Sequence, residues 1–513
     1  MTKPNEGTPE IRTEGVSIWF LYALAFVVGV SSLGSEIAAA RLIAPFFGAS
    51  TIIWANTIGV VLVSLSVGYW IGGRIADRHP HLRGLCWIVA AAALLLAIVP
   101  FAARPLFDAA VGALDQISAG AFVGSLVGVL LMIALPILLL GACSPYAVRL
   151  AVPDVGHTGS VAGKLYAVST VGSLLGTMLA ALVTIPFLGT RLTFLLFAVL
   201  LALVAAAGLG LRYLAVPVAI ALLAVIPAGK VKAEQPGERV LWDGETRFQY
   251  ARVIAEPDGD RRLELNEGVA QHSLWRPATY VTGNYWDGLL TLPFAARSSA
   301  PRTVAILGNA AGTSQRAIGH YFPGTKVDGV EIDPELTRLG RRYFDLRLDR
   351  NLRVHHADAR PWLRATDERF DLILLDAYHQ PYIPFYLTTR EFFELVRDRL
   401  RPGGAVIVNV GHPSGDDELE KVVGRTMAEA FPTVVRDPVT ESNTLLLGTA
   451  GDASAARLRA NLDLLPADLQ NQAAIEAARI GPRLPGGRVY TDDLAPVEWL
   501  IDRSIIGYAA GER

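Results

Sequence analysis

The sequence predicts two parts: a domain of membrane-spanning α-helices, followed by an α/β domain built on a doubly wound parallel sheet. Charge density divides the 513 residues in this way. Residues 16–229 contain 9 Lys/Arg and 5 Asp/Glu, whereas residues 230–513 contain 35 Lys/Arg and 40 Asp/Glu. Long apolar runs fill the first part, and short strand patterns alternate with helix patterns in the second. These observations exclude a wholly soluble, a disordered or a disulfide-rich chain.

Seven apolar segments follow a polar tail at residues 1–15, and each predicts a helix that spans the membrane, because a span needs about 20 mostly apolar residues. They are residues 17–40, 51–73, 84–103, 119–148, 163–188, 191–211 and a shorter one at 213–229. Flanking Lys and Arg favour a cytoplasmic amino terminus by eight to five. With seven spans, the second part would then lie outside the cell. We expect it in the cytoplasm, which requires that one segment near 191–229 does not span the membrane.

The second part begins with a polar linker and two alternating runs, 248–254 and 262–265, separated by Pro-Asp-Gly-Asp. This pattern in residues 230–300 predicts a small β-hairpin domain. Residues 301–450 then alternate helices with buried strands, which predicts a parallel sheet. The strands are 303–307, 326–332, 352–355, 370–375 and 405–410, with two late strands near 432–436 and 443–448 at the edge. Residues 451–513 are predicted to form a helical tail.

Charge and cysteine usage exclude several kinds of partner. The second part carries a net charge of −5, so it has no basic surface for nucleic acid. Cys86 and Cys143 both lie in apolar segments, which leaves no thiolate zinc site in the second part. His355 and His356 are neighbours in a strand and point to opposite faces, so we expect no metal site there.

Small residues and carboxylates follow three successive strands of the predicted sheet. Gly308 and Gly312 bracket the turn after the first strand, Glu331 ends the second strand, and Asp358 follows the third. The carboxyl ends of parallel strands meet at one edge, where glycine lets a ligand approach the backbone and an acid can accept the ribose hydroxyls. Together these positions predict an adenosyl pocket.

Asp376 ends the fourth strand, so we expect its carboxylate beside the same pocket. A carboxylate there could accept a proton from an amine nucleophile. His379 follows closely, although a lone histidine in a loop is more often a packing residue. The sequence has no Gly-x-x-x-x-Gly-Lys loop, which argues against a nucleoside triphosphate as ligand.

Residues 240–450 resemble the spermidine synthase (polyamine aminopropyltransferase) family in its bacterial, membrane-fused form. The resemblance lies in Leu-Glu-Leu-Asn-Glu-Gly-Val-Ala-Gln (263–271), Val-Glu-Ile-Asp (330–333), Asp-Ala (358–359) and Leu-Asp-Ala (375–377). It implies a Rossmann-like, methyltransferase-type domain. It also implies aminopropyl transfer from decarboxylated S-adenosylmethionine to putrescine, with no prosthetic group and no metal.

The resemblance assigns Asp376 as the residue that steers and deprotonates the amine. It implies that the donor is bound by Gln271, Gly308, Gly312, Glu331, Asp358 and Ala359. The family's turn carries an Asp for the donor's aminopropyl ammonium, and Ala311 stands in its place. Candidate amine ligands in place of the family's acids are Asp287, His379 and Gln380.

Three functions stay open at this point. The first is the membrane-anchored aminopropyltransferase. The second, suggested by Ala311, is a methyltransferase that uses S-adenosylmethionine on the same fold. The third is a transporter or membrane scaffold with an adenosyl-sensing domain, suggested by Glu36, Arg41 and the basic loop 73–78. Expected partners are a small amine and the lipid bilayer; a homo-oligomer is left open.

Overall fold

The computed structural model describes residues 17–47, 51–114, 126–152, 158–226, 231–232, 234, 236–266, 270–379 and 382–501. The chain forms two compact units: the first lies within Met1–Gly229 and the second contains Lys230–Arg513.

The first unit is helical. Within the described residues, six helices are long and apolar enough to cross a membrane: Ile18–Phe46, Ile53–Arg78, Leu82–Phe107, Leu126–Ala151, Gly159–Leu188 and Thr190–Leu209. The seventh predicted segment forms only a shorter apolar helix, Leu211–Val225. Gly210, with φ of +120°, ends the preceding helix. The middle of the short helix, Ala215–Leu222, is α-helical and its ends, Leu211–Leu214 and Leu223–Val225, are 3₁₀ turns. At about 1.5 and 2.0 Å per residue it extends about 26 Å, less than the hydrocarbon core of about 30 Å.

A small four-stranded antiparallel sheet opens the second unit. Its strands, in order, are β1 (Arg239–Glu245), β2 (Tyr250–Ala255), β3 (Arg261–Leu265) and β4 (Gln271–Trp275). The predicted hairpin is the β2–β3 pair, in which Ala251 faces Leu265. The sheet is not a separate domain, because its buried side chains share one apolar cluster with Leu336 and Leu339 of the following fold.

The main sheet has eight strands and is mixed, not wholly parallel. The parallel strands are β5 (Thr303–Leu307), β6 (Lys326–Glu331), β7 (Leu352–His356), β8 (Phe370–Leu375) and β9 (Leu400–Gly411). The antiparallel strands are β10 (Thr433–Pro438), β11 (Asn443–Thr449) and β12 (Gly481–Pro482). The spatial order of the strands is β12-β10-β11-β9-β8-β5-β6-β7.

Helices cover both faces of this sheet. They are Tyr285–Thr291, Thr313–Tyr321, Pro334–Tyr343, Ala359–Ala365, Arg390–Arg399, Glu418–Ala430, Ala455–Ala460 and Ala467–Arg479, with 3₁₀ turns at Leu292–Ala295, Phe385–Leu387 and Leu462–Leu464. Along β5, Ala305 and Leu307 enter one apolar core while Val304 and Ile306 enter the other. A strand that is buried on both faces has a continuous apolar sequence, and this pattern predicted β5. The carboxyl ends of β5, β6 and β8 thereby come together at one edge.

Candidate active site

Two adjoining cavities open at the carboxyl ends of the parallel strands. The larger lobe has a volume of about 610 Å³ and the smaller lobe about 150 Å³. The lobes meet at five residues that line both of them: His272, Gly308, Ala310, Asp376 and Tyr378. Glu331, Asp358 and Ala359 line the smaller lobe. The structure thus brings together the three carboxylates that follow successive strands.

The turn between β5 and helix Thr313–Tyr321 forms the floor between the lobes. Gly308 has φ of +91°, and a Cβ atom there would lie 2.3 Å from the carbonyl oxygen of Asp376. Only glycine allows this close approach. Gly312, with φ of +88°, packs on Leu346 and lines neither lobe. In this structure it shapes the turn at the start of the helix, and its role in donor binding stays a prediction.

Glu331 is held by backbone amides in the smaller lobe. One carboxylate oxygen accepts a hydrogen bond from Ala310 N at 2.7 Å, and the other accepts one from Asp333 N at 3.0 Å. Burial, at 7% exposure, raises the pKa of Glu331 to about 7. Each carboxylate oxygen has a second lone pair, so the group can still accept hydrogen bonds from a ligand.

Asp358 lies across the smaller lobe, at the start of helix Ala359–Ala365. Its Oδ1 accepts a hydrogen bond from Arg360 N at 3.1 Å, and its Oδ2 accepts one from the Tyr386 hydroxyl at 2.9 Å. Gln249, 7% exposed, completes the polar lining. Neither Gln249 nor Tyr386 belongs to a strand-end motif, so the strand pattern did not place them in the site.

Asp376 stands at the junction of the two lobes. Its Oδ2 accepts a hydrogen bond from the Tyr285 hydroxyl at 3.0 Å, and its Oδ1 accepts one from Asn409 Nδ2 at 2.8 Å. Burial raises the pKa of Asp376 to about 7, and the hydrogen bonds, including one from Trp286, oppose that rise. The result is a carboxylate whose pKa lies near neutral pH, as a general base requires.

A second layer of hydrogen bonds orients these donors. Asn409, 2% exposed, accepts at its side-chain oxygen from Asn443 Nδ2 at 3.0 Å, so its own amide nitrogen points to Asp376. The Tyr378 hydroxyl donates to the Asn409 carbonyl at 2.9 Å. Helix Tyr285–Thr291 is fixed at its far end, where the Thr291 hydroxyl donates to buried Glu476 at 2.6 Å.

Asp287 and His379, two of the candidate amine ligands, differ in their positions relative to the two lobes. Asp287 is 1% exposed and lines neither lobe. Its carboxylate accepts from Thr282 N and Oγ1, both at 2.8 Å, and from Gly283 N at 2.6 Å. These bonds hold the Asp287 carboxylate to its own loop, and its role as an amine ligand stays a prediction.

Of the other candidates, His379 is exposed and lines the smaller lobe, and Gln380 lies outside the described residues. Gln271 is exposed and lines the larger lobe, on the opposite side of the junction from Glu331 and Asp358. Ala311 is fully buried, and its N–H donates to Ser273 Oγ at 2.9 Å. Across the part of the chain that the structure describes, His, Cys, Asp and Glu form no group of three or more that could hold a metal ion.

Comparisons with known proteins cover mainly the second unit. A family model described as the spermine/spermidine synthase domain matches residues 287–454. A probable polyamine aminopropyl transferase from Bifidobacterium longum is 34% identical over 37% of this chain and 42% of its own length. A polyamine aminopropyltransferase from Vibrio vulnificus is 33% identical over 28% of this chain and 48% of its own length. The chain thus spans about half the length of these two curated relatives.

Other similarities extend further. A polyamine aminopropyltransferase from Corynebacterium efficiens is 26% identical over 80% of this chain and 81% of its own length. A probable spermidine synthase from Corynebacterium glutamicum aligns with 50% of this chain and 97% of its own, with 21% identity and a TM-score of 0.39. The family model and the curated relatives support the assignment of residues 287–454 to the spermidine synthase family.

Proposed function

We propose that this protein transfers an aminopropyl group from decarboxylated S-adenosylmethionine to putrescine or a related amine. The observation that carries the proposal is the position of Asp376, a carboxylate with a pKa of about 7 at the junction of the two lobes. The curated relatives are named as polyamine aminopropyltransferases, which supports the same reaction.

In this proposal the smaller lobe receives the nucleoside of the donor. Glu331 accepts hydrogen bonds from the ribose hydroxyls, and Asp358 accepts one from the adenine amino group. Both carboxylates are held by protein hydrogen bonds, so binding does not have to order them first. The sulfonium and its aminopropyl chain then lie toward the junction, beside Asp376.

The acceptor amine enters through the larger lobe as an ammonium ion. Asp376 accepts one proton, and the free amine attacks the methylene carbon next to the sulfonium. The new C–N bond forms as the C–S bond breaks, and the sulfur leaves as neutral methylthioadenosine. Because the sulfonium is already a good leaving group, the site has mainly to align amine, carbon and sulfur and to hold the amine uncharged.

Methylthioadenosine release tests the proposal directly. The purified full-length chain is incubated with decarboxylated S-adenosylmethionine and putrescine, and nucleosides are identified by mass spectrometry. We expect Asp376→Asn to reduce kcat by about 10²–10⁴-fold, the usual contribution of a general base. Asp367→Asn, at an exposed position outside both lobes, is the matched control. Absence of methylthioadenosine with every amine in a panel, or full activity in Asp376→Asn, overturns the proposal.

Ala311 favours a second candidate, a methyltransferase that uses S-adenosylmethionine. An alanine side chain has no carboxylate, so this position cannot select the ammonium of the decarboxylated donor. A methyl transfer would release S-adenosylhomocysteine in place of methylthioadenosine. Presenting each donor separately and identifying the nucleoside product decides between the two reactions.

The first unit supports a further part of the proposal, that the enzyme is anchored in the cell membrane. Six helices of the described residues have the length and apolar composition of membrane spans. A polyamine aminopropyltransferase from Corynebacterium efficiens aligns over 80% of this chain, more than the second unit alone contains.

A further inference from the structure

The carboxyl-terminal segment 490–501 is built into the wall of the site. Tyr490, Val497 and Ile501 are at most 5% exposed and enter the apolar core that contains Leu375 of β8. Ile501 also lines the larger lobe. This segment follows the strands and helices of the fold, and nothing in the chemistry proposed above uses it.

Asp492 of this segment forms an ion pair with Arg360. Its carboxylate accepts from Arg360 Nη1 at 2.7 Å and from Nη2 at 2.6 Å, which is the bidentate geometry that makes such pairs strong. The Thr389 hydroxyl donates to the same carboxylate at 2.7 Å. The Arg360 side chain is 11% exposed and that of Asp492 47%, so the arginine is the partner that burial would penalise if the pair were broken.

Arg360 in turn connects Asp492 to the smaller lobe. Its Nη1 also donates to the carbonyl of Tyr386 at 3.0 Å, while its backbone N–H donates to Asp358 at 3.1 Å. The Tyr386 hydroxyl donates to the other oxygen of Asp358 at 2.9 Å. Arg360 and Tyr386 therefore each hold one carboxylate oxygen of Asp358. The Arg360 side chain links these two residues through its hydrogen bond to the Tyr386 carbonyl.

We propose that Asp492 is a positioning residue for the nucleoside lobe: it fixes Arg360 and Tyr386, and through them the orientation of Asp358. The inference rests on the proposed function, because it takes the smaller lobe as the site of the adenosyl group. Asp492 lines neither lobe, so it acts through Arg360 and not by contact with the ligand. Its loss therefore affects donor binding more than acceptor binding or the transfer step.

The test compares Asp492→Asn with Asp493→Asn, which removes the same charge from the adjacent, exposed residue. Binding of methylthioadenosine to the full-length chain is measured by calorimetry, and KM is measured for donor and acceptor separately. We expect Asp492→Asn to weaken nucleoside binding and to raise the donor KM by about tenfold, the size of one charged hydrogen-bond contribution. Acceptor KM and kcat should stay within about twofold of the native values. Asp492→Glu, which keeps the carboxylate, should recover part of the loss.

A double-mutant cycle separates positioning from general destabilisation. If Asp492 acts through Tyr386, then Tyr386→Phe and Asp492→Asn weaken nucleoside binding by less together than the sum of their separate effects. Equal increases in donor and acceptor KM, or additive effects, overturn the inference. If Asp492→Asn does not fold, Arg360→Lys is measured in its place, because lysine keeps the charge and loses the bidentate geometry.

The outcomes also distinguish this inference from the proposed function. If the native chain does not bind methylthioadenosine, the proposed function fails. If the native chain binds it and Asp492→Asn binds as tightly as Asp493→Asn, the inference fails and the proposed function stands.

Discussion

At the scale of single residues, the ionisation of Asp376 results from two opposing effects. Burial raises its pKa because a carboxylate loses hydration, and hydrogen bonds from Tyr285 and Asn409 lower it because they favour the charged form. The base must be deprotonated to accept a proton from the amine, so we expect kcat to fall as the pH drops below about 7. The hydroxyl of Tyr285 is the donor that can be removed with least change in shape.

Tyr285→Phe should therefore move the acidic limb of the pH–rate profile upward. Loss of one hydrogen bond to the carboxylate destabilises its charged form, and we expect a shift of about one pH unit. The control is Tyr321→Phe, which removes a tyrosine hydroxyl that donates to Asp468 at 3.5 Å, outside both lobes. An unchanged limb in Tyr285→Phe, or the same shift in Tyr321→Phe, would contradict the role of Asp376 as the base.

Residues of the site differ in how far the sequence could predict them. Glu331, Asp358 and Asp376 were predictable because each lies at or just after the carboxyl end of a predicted strand, and parallel strands bring such positions to one edge. Asn409 had a detectable signal, a polar residue within the buried run of β9. The hydrogen bond from Tyr285 to Asp376 was not predictable from spacing, because it joins residues 91 positions apart. For Asp287, sequence position does not show that its carboxylate accepts hydrogen bonds from Thr282 and Gly283.

At the scale of elements, buried strands were predictable and edges were not. β5 and β8 have the predicted bounds, because both faces are covered and the apolar run is continuous. β12, with two residues, and helix Tyr285–Thr291 have no such pattern. Residues 213–229 were predicted to span the membrane because of their apolar composition. Composition alone does not show that Gly210 ends the preceding helix or that the next helix, Leu211–Val225, is short.

The turn after β5 gives a prediction at this scale. Gly308→Ala should abolish donor binding, because a Cβ atom would lie 2.3 Å from Asp376 O and 2.5 Å from Ala377 Cα, and both are backbone atoms. Gly403→Ala is the matched control: its φ is +76°, and a Cβ atom there meets nothing within 4 Å. We expect the control to lose only about 1 kcal/mol of stability from backbone strain, measured by thermal unfolding, and to keep methylthioadenosine binding. Equal binding by the two variants would show that the close approach is not needed.

At the scale of the whole molecule, the number of membrane spans determines where the second unit meets its substrates. An even number of spans returns the chain to the side of its amino terminus, and flanking Lys and Arg favour the cytoplasm for that side. Six helices in the described residues are long enough to span, and Leu211–Val225 is shorter than the hydrocarbon core requires. We therefore expect the second unit in the cytoplasm, whereas seven spans would place it outside the cell.

Fusions of the full-length chain at Arg513 to two reporters test this topology. A fluorescent protein, which folds in the cytoplasm, should be fluorescent, and alkaline phosphatase, whose disulfides need an oxidising compartment, should be inactive. The controls are the same fusions to membrane proteins whose carboxyl termini are known to lie on either side. Because the donor is a charged nucleoside that does not cross a bilayer unaided, the proposed reaction requires the cytoplasmic result. Active phosphatase with a dark fluorescent fusion would mean that Leu211–Val225 also crosses, and that the site faces a compartment without its donor.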